Sequence, residues 1–597
     1  MSEKAHYLHL PSSAAAYVCA CLALGAENTK DAALLRMPDT SGRGISRTVV
    51  IIVPDTQTGE MLTHDLRFFL SAQTKQAQRQ LCPAVTNFFG WEILPFDLLS
   101  PADTVTALRL QALYALTNQQ PFVLVATIDA LMQRLVPPRT LRESVFHLEL
   151  DKPLDRDDLI AVMERGGYSR SSLVEECGQY AVRGAVVDFF PPGSLNPLRV
   201  ELFDDRVESL RFFDAATQRS SGVLRQFSVL PVKETFWLCS TASGTEGGAN
   251  KQALFLTQAI NSLRHRASEL SIPQAAVRNL EDALQENMPW PGLEHLQPLF
   301  GVELASFWDY LPAGSVVAAW DAAQLRRAAG DFEQLIQERA KKALEEGRIF
   351  PEPASAYLSA ASVCETLNAH AGICFDHLTV LTATGGDAAE ESAAHGGAEA
   401  DELEPGLSVN AVLNAQLRLA RYKERPFKPL ADQIKRDWSN GILPAIAVSH
   451  AQRMRRIEDL LGSYDIPSAE YHGDFFSWAA GADGRRKAQE VSLLLGALSS
   501  GFASGASGFR LIADRELFPE ITPRRESVSA RNVRRFLGTA AQLHEHDYVV
   551  HIEYGIGIYR GLKVLSVDGR AGDFLELEYA EGAKLFVPVE NIGKVQK

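Results

Sequence analysis

Three arginines between Glu176 and Asp214 carry the clearest chemistry in the chain. Arg183 stands beside Gly184, Arg199 and Arg211 fall inside short apolar runs, and Glu201 follows Arg199 by two positions. A guanidinium held on a strand loses little freedom on binding, and its planar fork pairs well with carboxylates. The chemistry on offer is recognition of an acidic surface. Two readings stand: a binding face, or a solvated outer sheet face.

The elements that must position these charges are legible. Residues 185–190 (AVVDFF) read as a strand ending at Pro191-Pro192-Gly193. Residues 198–203 (LRVELF) alternate with period two, and residues 207–213 follow after the Asp204-Asp205 turn, which together predicts a small antiparallel sheet. Period two places Phe203 on the face of Arg199, with Arg183 on a neighbouring strand, so that the three form one patch. A helix over 156–165 leads into this sheet.

Patterns for catalysis are missing. No G-x-x-x-x-G-K-[ST] occurs; the one Gly-Lys pair, Gly593-Lys594, precedes Val595, and the one Asp-Glu dipeptide, Asp401-Glu402, lies in a polar segment. A translocase needs the phosphate-binding lysine and a metal-holding carboxylate at a strand end. The seven cysteines form no CxxC and the histidines are scattered, which signals neither zinc nor a disulfide framework. Cytosolic thiols and a cytoplasmic protein are expected. No catalytic, cofactor-binding or metal-binding residue is assigned.

A chain of 597 residues suggests about four domains. Its net charge of −15 argues against coating nucleic acid, which needs basic surface. The N-terminus lacks a basic start followed by an apolar core, and no run is long enough to span a membrane.

Residues 1–138 alternate helix and strand. Helices are expected at 12–24, 58–70 and 104–116, with strands at 48–53, 91–96 and 122–127. Near-continuous apolar strands joined by helices imply a parallel sheet covered on both faces. Residues 139–222 hold the arginine-bearing module. Residues 223–375 return to helices, at 255–270 and 322–346, around a buried strand at 315–321. That strand should rejoin the first sheet, so the first domain is interrupted by the module. Residues 384–406 contain seven acidic side chains and no Lys or Arg, predicting a disordered linker or an acidic interaction tail. Residues 407–523 predict a second α/β domain, with helices at 428–438 and 451–462 and strands at 445–449 and 508–513. Arg453, Arg455 and Arg456 there read as a solvated helix face rather than a nucleic-acid patch. Residues 524–543 carry five arginines. Residues 544–597 are short strands with turns at Gly555, Asp568-Gly569 and Glu581-Gly582, a spacing that suits an SH3-like barrel.

RGAVVDFFPPGS, LRVELFDDRVESLRFFD and AATQRS resemble the UvrB-homology module of the bacterial transcription-repair coupling factors (Mfd). GWEILPFDLLSPADTVTALRLQALYAL, PLFGVELASFWDYLPAGSVV and FRLIADRELF also look like this family. The resemblance implies that the module binds UvrA, through Arg183, Arg199 and Phe203. It implies that residues 544–597 are the RNA polymerase-interacting domain, shared with CarD-type proteins. Lys563, Val564, Leu565 and Ser566 match the strand that pairs with the polymerase β subunit, against the plainer reading of Leu565 as core. Where the family usually has arginine this chain has Ile558. Residues 524–543 resemble the family's linker helix, and residues 407–523 its third domain, whose chemistry is unassigned.

The resemblance further implies a degenerate nucleotide fold at the N-terminus. The loop matching the UvrB P-loop is Leu10 to Ala16, which has neither glycine nor lysine. The family's two motor lobes and C-terminal autoinhibitory domain are expected to be absent from these residues. ATP and Mg would then belong to the motor, DNA would be reached only through it, and no ATP turnover is expected here. Without that C-terminal domain the UvrA face would be permanently exposed. The expected fold is a multidomain α/β chain: a degenerate P-loop-type domain interrupted by a small α+β UvrB-homology module, a second α/β domain and a C-terminal SH3-like barrel. The leading expectation is a non-catalytic adaptor in transcription-coupled nucleotide excision repair, with UvrA and the RNA polymerase β subunit as partners and no membrane. The alternatives are part of an ATP-dependent DNA translocase and a UvrB-like damaged-DNA binder.

Overall fold

The computed structural model describes residues 5–8, 10, 12–24, 48–70, 85–118, 122–194, 196–235, 248–286, 290–301, 303–376, 407–421, 424–479, 489–505, 507–518, 548–551, 555–567, 570–579, 584–588 and 595–596. The segments expected to be an acidic linker (384–406) and a basic linker helix (524–543) lie outside them. The chain divides into two units, Met1–Phe518 and Pro519–Lys597.

The first unit is built on a six-stranded parallel sheet. Its order is Ala5–Leu8, Ala371–Asp376, Val316–Trp320, Val49–Val53, Val123–Thr127, Val85–Phe88. Val49–Val53 reads VVIIV and is buried at every position, as a strand covered on both faces should be. Its alternate residues enter different cores: Val50 and Ile52 one, Val49, Ile51 and Val53 the other. Asp55 caps the following helix, Thr56–Phe69, accepting from the Thr58 amide at 2.8 Å. The strand Val316–Trp320 does rejoin this sheet, so the fold is interrupted as expected.

Residues 91–96 are not a strand. Glu92 and Phe96 take φ of 58° and 56°, which no ladder accommodates, and Trp91 and Phe96 are buried as loop anchors. The edge strand is Val85–Phe88 instead. A short apolar run does not distinguish a strand from a packed loop.

The inserted module is an antiparallel sheet, ordered Ser220–Val223, Arg206–Phe213, Leu198–Phe203, Val186–Phe189, Gln179–Arg183, with the short Ser169–Arg170 added in parallel. The helix Arg156–Arg165 packs Leu159 and Met163 into its core, beside Val187, Val200 and Leu210. A separate two-stranded ladder joins Phe146–Glu149 to Gln226–Val229. Phe227, Val229 and Val232 belong to the module's core, so it runs about ten residues past the boundary expected at 222. Leu141 packs in the first domain's core, so the module begins after the expected 139.

Where the chain leaves the module it is anchored. The Glu234 carboxylate receives Arg109 Nε at 2.5 Å and Trp91 Nε1 at 2.9 Å, all three residues being buried. The Arg109 guanidinium also lies 4.4 Å from the Phe88 ring centroid. Gly193, with φ +68°, approaches so closely that a Cβ would sit 1.9 Å from the Gln111 side chain.

A second six-stranded sheet orders Leu407–Val409, Phe502–Ser504, Phe509–Ala513, Leu443–Val448, Val491–Leu495, Ser468–Tyr471, the last four in parallel. Expected as a separate domain, it shares a core with the first. The helix Ser12–Leu24 is apolar on all sides and lies within that joint core. Its Tyr17 ring packs on Phe69 at 5.6 Å, and on Phe475, Phe502 and Phe509 at 5.8, 5.6 and 5.5 Å. Asp65, fully buried, accepts from the Ser499 amide at 2.6 Å and from its hydroxyl. Burial raises the Asp65 pKa.

The second unit is a five-stranded antiparallel sheet, ordered Lys584–Pro588, Arg570–Glu578, Gly555–Val567, Tyr548–His551, Val595–Gln596.

Candidate functional site

The module's sheet has one face on its core and one outward. On Leu198–Phe203 the alternation is strict: Leu198, Val200 and Leu202 are buried, while Arg199, Glu201 and Phe203 face out. Register then places the neighbours. Arg183 is opposite Val186 and Val186 opposite Glu201, so Arg183 shares the outward face. The structure thus brings Arg183, Arg199 and Phe203 to one surface, but Arg183 ends a strand of its own, Gln179–Arg183, and the strand Val186–Phe189 separates it from that of Arg199 and Phe203, which the expected neighbouring position did not foresee.

Their states differ. Phe203 is 69% exposed, unusual for a phenylalanine held on a regular strand. Arg183 is exposed, its Nη2 donating to the Ser172 carbonyl at 2.9 Å. Arg199 is not a free solvated arginine, as the sequence suggested. Its fork is taken by Asp188, with Nε and Nη2 donating at 2.7 and 2.8 Å, and its side chain is only 17% exposed. Those hydrogen bonds raise the Arg199 pKa further. The guanidinium also lies 4.6 Å from the Phe213 ring centroid. Phe213 and Ala181 pack with Val174, so one end of the outward face is covered. Arg199 marks the border between covered and open parts.

Asp188 is the residue that sequence reasoning missed. It is 2% exposed and faces Arg199 directly across the ladder. The signal was present: a lone carboxylate inside the apolar run AVVDFF demands a buried partner.

In the second unit, Gly555–Val567 is long and only partly paired. Residues 555–558 lie beside Tyr548–His551, whereas 562–567 pair with Arg570–Glu578 alone. Among the described residues the other edge of 562–567 has no partner strand, which leaves a template for strand addition. Lys563 Nζ reaches the Glu576 carboxylate at 2.7 Å, and Lys584 Nζ does so from the opposite side at 2.7 Å. These lysines, Lys563 first, hold the Glu576 carboxyl below the ordinary range. The side chains of Val564, Leu565 and Ser566 lie outside the described residues.

The N-terminal loop offers little to a phosphate. Ser13, in the first turn of Ser12–Leu24, meets the Ser500 hydroxyl at 3.0 Å. A cavity of about 20 Å³ lies elsewhere, beside Trp91, His295 and Tyr357, and no residue of that loop lines it. Among the described residues no group of three or more His, Cys, Asp or Glu could hold a metal ion, and no helix is long and apolar enough to cross a membrane.

Of the three arginines expected on a solvated helix face, Arg453 is half-buried and paired, while Arg456 is exposed and stacks on a ring. Arg453 Nη1 lies 3.1 Å from Asp514, and the Arg456 guanidinium lies 4.4 Å from the Phe518 ring centroid. Arg455 is exposed.

Comparison with known proteins bears directly on both surfaces. Residues 146–235 match the UvrB interaction domain family, which covers the whole sheet with its closing ladder. Residues 543–597 match the CarD-like/TRCF RID domain family. The chain is similar to the N-terminal half of the transcription-repair-coupling factors. It is 29% identical over 555 residues to the transcription-repair-coupling factor of Myxococcus xanthus, covering 92% of this chain and 43% of the relative. It is 27% identical over 560 residues to that of Escherichia coli, with the same coverage. Against that of Bacillus subtilis it is 25% identical, covering 85% of this chain and 40% of the relative. The chain therefore spans less than half the length of these curated relatives.

Proposed function

We propose that this chain is an adaptor of transcription-coupled nucleotide excision repair, joining UvrA to the β subunit of RNA polymerase. The observation that carries the reading is Phe203, exposed on a strand and sharing its outward face with Arg183 within a stretch that matches the UvrB interaction domain family. An aromatic flanked by arginines has the composition of an interface hot spot. Arg183 and Phe203 make the direct contacts, with Arg199 at the inner border of the patch.

The polymerase contact is a strand addition at Lys563, Val564, Leu565 and Ser566, on the open edge of Gly555–Val567. We read the second unit as an SH3-like barrel, and the first sheet as a degenerate P-loop fold. The chain itself binds no ATP or Mg; a motor supplies those, along with DNA contact. Support comes from the loop at Leu10 to Ala16, which lacks the glycines and lysine of a phosphate cradle.

The test is titration of UvrA against the wild-type chain and Arg183→Ala and Phe203→Ala variants, with polymerase β titrated in parallel. Each substitution should weaken UvrA about 30-fold, equivalent to about 2 kcal/mol, and leave β binding unchanged. UvrA affinity unchanged in both folded variants would refute this assignment of the face.

A further inference from the structure

We propose that the docking surface extends across the sheet to Arg211 and Val223, and that its partner presents an acidic surface around an apolar centre. The inference rests on the proposed UvrA contact and enlarges it. Among the described residues of 146–235, the exposed large apolar side chains are Phe203 and Val223, at 69% and 73%. Single exposed apolar residues are ordinary, but these two share a face. Val223 is opposite Arg211, Arg211 opposite Arg199, and Phe203 follows Arg199 by four positions on one strand. Directly opposed residues point to the same side of a sheet.

The open surface therefore runs from Arg183 to Val223, four strand spacings or about 19 Å, and about 13 Å along the strands from the Val223 row to Phe203. Three side chains alone fall well short of the roughly 800 Å² per partner of a stable interface. The added row carries the contact to the edge strand Ser220–Val223, exposed at all its positions.

Charge decides what fits. Arg183, Arg199 and Arg211 share this face with the carboxylate of Glu201. Its oxygen lies 3.8 Å from Arg211 Nη2, too far for a hydrogen bond, and the Arg211 side chain remains 44% exposed. The Arg211 fork is thus available to a carboxylate from outside, with Val223 beside it and Phe203 farther along the same face as apolar contacts.

The experiment is equilibrium titration of purified UvrA against the full chain carrying Val223→Asp, Arg211→Glu, Glu201→Gln or Phe203→Ala, with melting curves to verify folding. Val223→Asp and Arg211→Glu should each weaken binding at least about 10-fold, and Glu201→Gln should tighten it about 2-fold. The Arg211→Glu loss should shrink as salt is raised. If Phe203→Ala weakens binding while either Val223→Asp or Arg211→Glu stays within twofold of wild type, the extension is wrong and the proposed contact stands. If Phe203→Ala is also silent, the contact itself is wrong. Melting below wild type in Val223→Asp is answered by Val223→Ser, for which the same thresholds on binding apply at about 3-fold.

Discussion

At the scale of single residues, three outward-facing side chains on one sheet divide the labour. Phe203 is exposed and holds nothing together, whereas Arg199 compensates a buried carboxylate. Removing one partner of such a pair strands the other, at a cost of about 3 kcal/mol where one partner keeps some solvent contact. Arg199→Ala is therefore expected to lower the module's stability by about that much, while Phe203→Ala leaves it unchanged; chemical denaturation followed through the module measures both. Equal stability in the two would mean that Asp188 finds other compensation. His295 makes a second case. It is buried against Trp91, neither ring nitrogen has a hydrogen-bond partner, and burial pushes its pKa down to about 4. Between pH 6.5 and 4 the unfolded chain takes up a proton that the folded one refuses. Stability is thus whole above pH 6.5 and falls by up to about 3 kcal/mol on acidification to pH 4. Burial raises the carboxyls of Asp65 and Glu294, which work in the opposite sense. The expected signature is a difference: His295→Phe should lose less stability than wild type over that window, and parallel curves would refute it.

At the scale of elements, most of the architecture could be read from periodicity. The alternation of LRVELF set the outward face, and the helix Arg156–Arg165 begins and ends as expected. The failures have physical causes. Trp91 to Phe96 has a strand's composition, but its apolar side chains anchor a loop at positive φ. Val85–Phe88 is too short and too polar at Thr86 and Asn87 to announce itself. The pairing of Arg199 with Asp188 depends on register, which a sequence specifies only when both strands are already placed. The long strand Gly555–Val567 carries a prediction of its own. Leu565→Arg puts a charge on the proposed pairing segment, and burying an unpaired charge costs several kcal/mol, enough to abolish a contact of about micromolar strength. Loss of polymerase β binding with an unchanged circular dichroism spectrum is the expected result. Wild-type binding by the folded variant would place the contact on another strand.

At the scale of the whole molecule, the first unit couples a parallel sheet and a mixed sheet through one helix. Ser12–Leu24 already hinted at this: a helix apolar on every side needs cover on every side. Tyr17→Ala should cost about 3–5 kcal/mol and loosen both sheets together. Hydrogen exchange in Val49–Val53 and Leu443–Val448 reads this, and loss of protection in one strand alone would disprove the coupling. The same arrangement dictates an order of assembly during synthesis. The sheet of the inserted module is contiguous in sequence, so it can close while the ribosome is still translating the residues C-terminal to it. The framework that carries it must wait, because Val49–Val53 gains its neighbour Val316–Trp320 only after the module has emerged, and Ala5–Leu8 waits for Ala371–Asp376. Tyr17 waits longest, until Phe509 arrives, which at bacterial elongation rates is roughly 25–100 s later. Throughout that interval the helix Ser12–Leu24 can pack on Phe69 and the first strands but lacks the cover that the second sheet provides. The outward face of the module can therefore be finished before the body that holds it.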